Sequence, residues 1–155
     1  MSARVAFCGQ DVPEDTHRLT CNERSMSKVP DLTRFEHVRV LDLGGTEISD
    51  LAPLKALPAL EELYLAHTNA ADVGPLGSLR RLRVLNLMDT PVRNVEPLAG
   101  LKKLESLTLR ATAVADISPL ARIGSLEYVD VSLTAVDQKQ AAALEQAIPD
   151  IVVMR

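Results

Sequence analysis

The sequence predicts an α/β solenoid, a stack of short coils sharing one parallel sheet and one aliphatic core. Three observations predict it. Apolar residues open successive units at Val38, Leu60, Leu82, Leu104 and Leu126, spaced 22 residues apart each time. Within each unit apolar and polar residues alternate, as in LEELYL at 60–65, which is the period of a strand with one buried face. The chain is 46% hydrophobic but 3% aromatic and has no tryptophan, so its interior must be built from Leu, Val and Ile in small repeated units. At 155 residues this is one domain, divided into an N-terminal cap at 1–36, five repeats at 37–136 and a C-terminal cap at 137–155.

The caps cover the first and last apolar layers. At the N-terminus, ARVAFCG and HRLTC read as two strands joined by the QDVPEDT turn, a β-hairpin, followed by a loop through Lys28-Val29-Pro30. The opening residues carry one Arg and a short apolar patch, Val5 to Phe7, which suits neither a signal peptide nor a membrane span. A cytoplasmic location is the resulting expectation. Cys8 and Cys21 lie on the two expected strands, either as buried thiols or as a disulfide stapling the cap. With His17 they also make three potential zinc ligands, one short of a structural site, and the alternative functions are a metal or enzymatic site there or a purely structural piece of a larger secreted protein.

Each repeat begins with a strand: VRVLDLGGTEI, LEELYLAHTNA, LRVLNLMDTPV, LESLTLRATAV and LEYVDVSLTAV. Its fourth and sixth residues, such as Leu63 and Leu65, point inward, and those between point out. Thr46, Thr68, Thr90, Thr112 and Thr134 then fill one column where the chain turns, and a hydroxyl there bonds to the turn backbone or to the next Thr. Asp50, Asp72, Asn94 and Asp116 suit Asx-type turns. Pro53, Pro75, Pro97 and Pro119 begin short helical turns, where a missing N–H does little harm, and Leu54, Leu76, Leu98 and Leu120 plug the core behind them. In the last unit Pro-Leu is lost. Asp137 and Gln140 have capping-box spacing, Ala141, Leu144 and Ile148 share a helical face, and a strand at 151–154 closes the stack.

These units match the leucine-rich repeat template L-x-x-L-x-L-x-x-N/C-x-L, with Thr in place of Asn or Cys, over residues 37–136. The 22-residue period with D-[IVL]-x-P-L-x-x-L resembles the internalin-type class of bacterial repeat. That resemblance implies a horseshoe with a parallel concave β-sheet, 3₁₀ turns on the convex side, and protein partners held on the concave face. The chain departs from it in showing neither a signal peptide nor a helical N-terminal cap.

The candidate site is therefore the outward face of the strands. Its residues are Asp42, Glu62, Tyr64, His67, Asn86, Met88, Asp89, Thr108, Arg110, Tyr128 and Asp130. Two Tyr, a Met and an Arg are types enriched at interfaces, and Asp42, Glu62, Asp89 and Asp130 against Arg110 make the face acidic. It suits a protein partner with a basic patch. A net charge of -4 disfavours nucleic acid. His67 beside Asp89 reads as a hydrogen-bonded contact pair, and Gly44-Gly45 lacks the spacing of a phosphate loop. The column Arg39, Glu61, Arg83, Glu105, Glu127 sets ion pairs between neighbouring strands, while Arg80, Arg81, Lys102 and Lys103 form a solvated basic rim. No catalytic residue, metal or cofactor is expected, and the chain is expected to be monomeric. An inhibitor or immunity role follows by analogy with stand-alone leucine-rich repeat proteins.

Overall fold

Backbone hydrogen bonding joins seven three-residue strands side by side, all parallel, because each coil returns the chain to the same edge one strand further on. The computed structural model describes residues 3–155. The strands are β3 (Arg18–Thr20), β4 (Val40–Asp42), β5 (Glu62–Tyr64), β6 (Val84–Asn86), β7 (Ser106–Thr108), β8 (Tyr128–Asp130) and β9 (Val152–Met154), in chain order across the sheet. A two-stranded antiparallel sheet, β1 (Arg4–Phe7) with β2 (Gln10–Pro13), precedes them.

The register of every internal pair, such as Leu41 with Leu63 and Leu63 with Leu85, keeps the inward leucines in line. Leu41, Leu43, Leu63, Leu65, Leu107 and Leu109 are fully buried, and so are Leu54, Leu76, Leu98 and Leu120 from the convex side. Truncating any of these to Ala removes apolar contacts and leaves a cavity, at about 2–5 kcal/mol. The convex wall consists of 3₁₀ turns at Ala52–Ala56, Gly74–Ser78, Glu96–Gly100 and Ser118–Arg122, each with proline in its first turn. The expected Asx turns precede them. Asp50, Asp72, Asn94 and Asp116 each accept the N–H two residues on, at 2.8–2.9 Å.

The threonine column bonds within its own coil. Thr46, Thr68, Thr90 and Thr112 are buried and donate their hydroxyls to the carbonyls of Leu43, Leu65, Leu87 and Leu109 at 2.6–2.8 Å. One residue earlier the chain passes through the left-handed region at Gly45, His67, Asp89, Ala111 and Leu133, with φ between 52° and 74°. A side chain there costs energy. Ladder bonds such as His67 N–H to Met88 O, 2.9 Å, hold four of these turns in place.

Both ends depart in detail from the sequence reading. The N-terminal cap is a hairpin, but Arg4–Phe7 pairs with Gln10–Pro13, and the HRLTC segment is instead the first strand of the parallel sheet. The reason is periodic. Leu19, Cys21, Leu32 and Phe35 lie 22 residues before Leu41, Leu43, Leu54 and Leu57, and all are buried, so residues 16–37 form a further coil of the stack. Cys8 and Cys21 form a disulfide with Cα atoms 5.6 Å apart, tying the hairpin to that coil. His17 Nδ1 lies 3.0 Å from His37 O, so this trio does not converge as a ligand set.

At the other end α1 (Gln138–Ala147) starts at Asp137, whose carboxylate accepts the Gln140 N–H at 2.8 Å. The reciprocal half of the capping box is absent. Gln140 uses its amide to donate to Ala115 O and to accept from Ile117 N–H, fastening the helix to the preceding coil. Ala141, Leu144 and Ile148 are buried as their spacing predicts. No helix among the described residues is long and apolar enough to cross a membrane.

Candidate functional site

Strand alternation and the observed register place four columns on or beside the concave face. The first runs Arg18, Val40, Glu62, Val84, Ser106, Tyr128, Val152, and the second Thr20, Asp42, Tyr64, Asn86, Thr108, Asp130, Met154. Ladder bonds beyond the strands align a third, Gly44, Ala66, Met88, Arg110, Ser132, which Asn22 precedes by one 22-residue period, and a turn column from Gly45 to Leu133. All eleven residues expected at the site therefore lie in these columns. Most are half-buried, while His67, Asp89 and Arg110 are exposed.

The hydrogen bonds divide them into two kinds. Asp42, Asn86 and Asp130 each turn one side-chain oxygen back to the N–H two residues on, those of Gly44, Met88 and Ser132, at 2.9–3.0 Å. These three serve the strand exits of alternate coils. Asp130 is only 8% exposed and also accepts the Ser132 hydroxyl, which in turn accepts from Arg110 Nη1 at 2.8 Å. Tyr64, Met88, Thr108 and Tyr128 have no such duty.

Tyr64 donates its hydroxyl to Glu62 at 2.9 Å. Partial burial pushes its phenol above the ordinary value, and the bond and negative charge of Glu62 push in the same direction. His67 Nδ1 meets Asp89 Oδ2 at 2.8 Å across adjacent coils, the pair expected from the sequence. Below the face, Arg83 grips Glu105 with two bonds of 2.9–3.0 Å, and Arg39 stands 3.7 Å from Glu61. The Arg83 guanidinium holds the Glu105 carboxyl below its usual range. The basic rim is partly committed to the scaffold, since Arg80 caps Gly100 O and Lys102 caps Arg122 O.

The sequence reading missed Arg18, Thr20 and Asn22, which extend the face by one strand. The signal was the 22-residue offset of Leu19 and Cys21 from Leu41 and Leu43. With Arg18 added, the carboxylates of Asp42, Glu62, Asp89 and Asp130 face two guanidinium groups, Arg18 and Arg110, so the acidity is milder than the five-strand reading implied.

Neither a protein-family model nor a curated protein sequence matches the chain. Solved structures do. An internalin from Listeria monocytogenes, InlF, is 27% identical with a TM-score of 0.80 over 94% of this chain and 44% of its own. Internalin C2 from the same organism is 24% identical, with a TM-score of 0.84 over 94% of this chain and 66% of its own. The leucine-rich repeat protein LIC12759 of Leptospira interrogans is 17% identical with a TM-score of 0.82, covering 92% of this chain and 38% of that one. The chain thus spans less than two thirds of each of these proteins. Its fold is the bacterial, internalin-type leucine-rich repeat, an architecture suited to protein interaction.

Proposed function

We propose that this chain is a binding module whose concave sheet engages a partner protein bearing a basic patch, without catalysing a reaction. The observation that carries the reading is the contrast between columns. Inward and turn positions repeat the same residue types coil after coil, whereas Tyr64, Met88, Thr108, Arg110 and Tyr128 differ from coil to coil on one accessible face. Tyr, Met and Arg supply anchoring area there, and the surrounding carboxylates favour a cationic partner through steering and complementarity.

Within this class the chain acts as an adaptor, or as an inhibitor of the immunity type that covers a partner enzyme's active site, and it does so as a monomer. The Cys8–Cys21 bond supports work in an oxidising compartment over the cytoplasmic expectation, because such bonds persist where thiols are not kept reduced. Thiol labelling of the protein taken directly from its source cell separates the two. Full protection from alkylation supports export, and two reactive thiols support the cytoplasm.

The binding reading is tested by affinity capture from the source organism beside the variant Tyr64→Ala, Met88→Ala, Arg110→Glu. Asn86 is left intact because its side chain holds the Met88 N–H. A protein retained by the parent and lost from the variant supports the concave face. Assay of that protein with and without the chain distinguishes inhibitor from adaptor, and equal retention by both rejects the proposed face.

A further inference from the structure

The two glycines of the first expected repeat open a gap in the columns around them. At the third-column and turn positions, where the next coil carries Ala66 and His67 and the one after it Met88 and Asp89, this coil has Gly44 and Gly45. Gly45 adopts φ +74°, and no atom lies within 4 Å of the point a Cβ would occupy. A side chain at Gly44 would crowd Ala66 O and the Asp42 carboxylate at 3.2–3.3 Å. The result is a hollow of about 500 Å³, lined by Asn22 and Arg24 on one side, the glycines beneath and His67 on the other.

The donors on its walls are uncommitted. Among the described residues, Arg24 and Asn22 make no side-chain hydrogen bond or ion pair, in contrast to Arg83 and Arg122, which hold Glu105 and Glu96. His67 is fixed by Asp89 through Nδ1, which steadies the opposite wall. The glycine amides are already used, Gly44 N–H by Asp42 and Gly45 N–H by Ala66 O. A ligand must therefore be recognised by side chains. A guanidinium fork beside a carboxamide matches a planar oxyanion. The nearby negative charges of Asp42 and Asp89 select against a dianion, so a single carboxylate fits better than a phosphate.

We propose that the Gly44–Gly45 hollow is a receptor for one carboxylate, taken by the Arg24 guanidinium and the Asn22 amide. The carboxylate comes either from an acidic side chain of a bound protein or from a small free acid. The hollow lies at the N-terminal end of the same concave face and shares His67 with it, but its test does not depend on the protein partner, because a small probe alone reads it.

The test is amide NMR of the full chain at constant ionic strength, titrated in separate arms with sodium acetate, inorganic phosphate and a blocked Gly-Glu-Gly peptide. Saturable shifts at Asn22, Gly44 and Gly45 are expected with acetate and with the peptide. Arg24→Gln should weaken both by about tenfold or more, as loss of a charge-assisted pair does, whereas Arg93→Gln, at an exposed arginine outside both the hollow and the concave columns, should leave them unchanged. Tighter binding of the peptide assigns the carboxylate to a protein side chain, and tighter binding of acetate assigns it to a free acid. Absence of saturable shifts, equal binding by Arg24→Gln, or tighter binding of phosphate overturns the proposal. Both substituted residues are exposed, so the fold is retained and the comparison stands.

Discussion

Asp42, Asn86 and Asp130 occupy the same column as Tyr64 and Thr108, yet their side chains fold back on their own strand exits. The column was legible from spacing alone. Which members are free was not, because an Asx-type bond depends on backbone direction two residues ahead, which composition does not encode. The threonines illustrate the complementary case, where a column of one residue type announced its turn duty and only the acceptor had to be found. Thr90→Val leaves the Leu87 carbonyl without the 2.6 Å bond it now accepts from the threonine hydroxyl in a buried turn. It should cost about 1–2 kcal/mol in denaturant unfolding. A variant as stable as the parent would show that the hydroxyl contributes nothing. Tyr64 supplies a pH signature. Its folded phenol is raised, chiefly by burial and then by Glu62, so the stabilisation it reports is complete below the ordinary value of about 10 and lost as pH rises through the higher folded value. In a Tyr128→Phe background, phenolate absorbance should appear above that ordinary value. Glu62→Gln should lower the midpoint only in part, because burial remains.

Among the elements, the repeats and the C-terminal helix and strand were legible, and the strand pairing of the N-terminal cap was not. Five strands, four proline-led turns and the terminal helix all follow from residues whose roles are local. The segment at 16–37 keeps the 22-residue offset, but Cys21 replaces Leu, Arg24 replaces Thr and Asp31 replaces Pro, which erased the signature while the buried Leu19, Leu32 and Phe35 preserved the coil. Hence the strand HRLTC was assigned to the hairpin rather than to the sheet. The Cys8–Cys21 bond now joins those two elements across 13 residues. Closing a loop of this length stabilises a fold by about 3 kcal/mol in the chain-entropy account. Reductant should therefore lower the denaturant midpoint of the parent and leave that of a Cys8→Ala, Cys21→Ala variant unmoved. An unchanged parent midpoint would show that the hairpin is held by packing alone. Gln140→Ala tests the other cap. It removes both bonds to the last coil and should cost about 1–3 kcal/mol, more than the loss of an ordinary exposed glutamine.

For the whole molecule the decisive property is that successive coils superpose. Removing residues 71–92 joins Ala70 to Arg93 and deletes one full 22-residue period, so every remaining inward residue keeps its neighbours' register. The shortened chain should still unfold cooperatively, with lower stability and one strand fewer, since each coil contributes its own stability and one interface. A deletion two residues shorter should fail to fold. Circular dichroism with denaturant titration reads both, and loss of cooperativity in the full-period deletion would reject the stacking account.

Parallel strands spaced by about 4.8 Å give the concave face a fixed scale with seven divisions. A partner helix laid across those strands advances about 5.4 Å per turn, so it drifts by roughly 0.6 Å at each step and falls half a division out of phase after about four strands. The face therefore acts as a vernier. A straight helix can be read in phase by only about half the sheet, and full use of all seven strands requires a curved, irregular or extended counterpart.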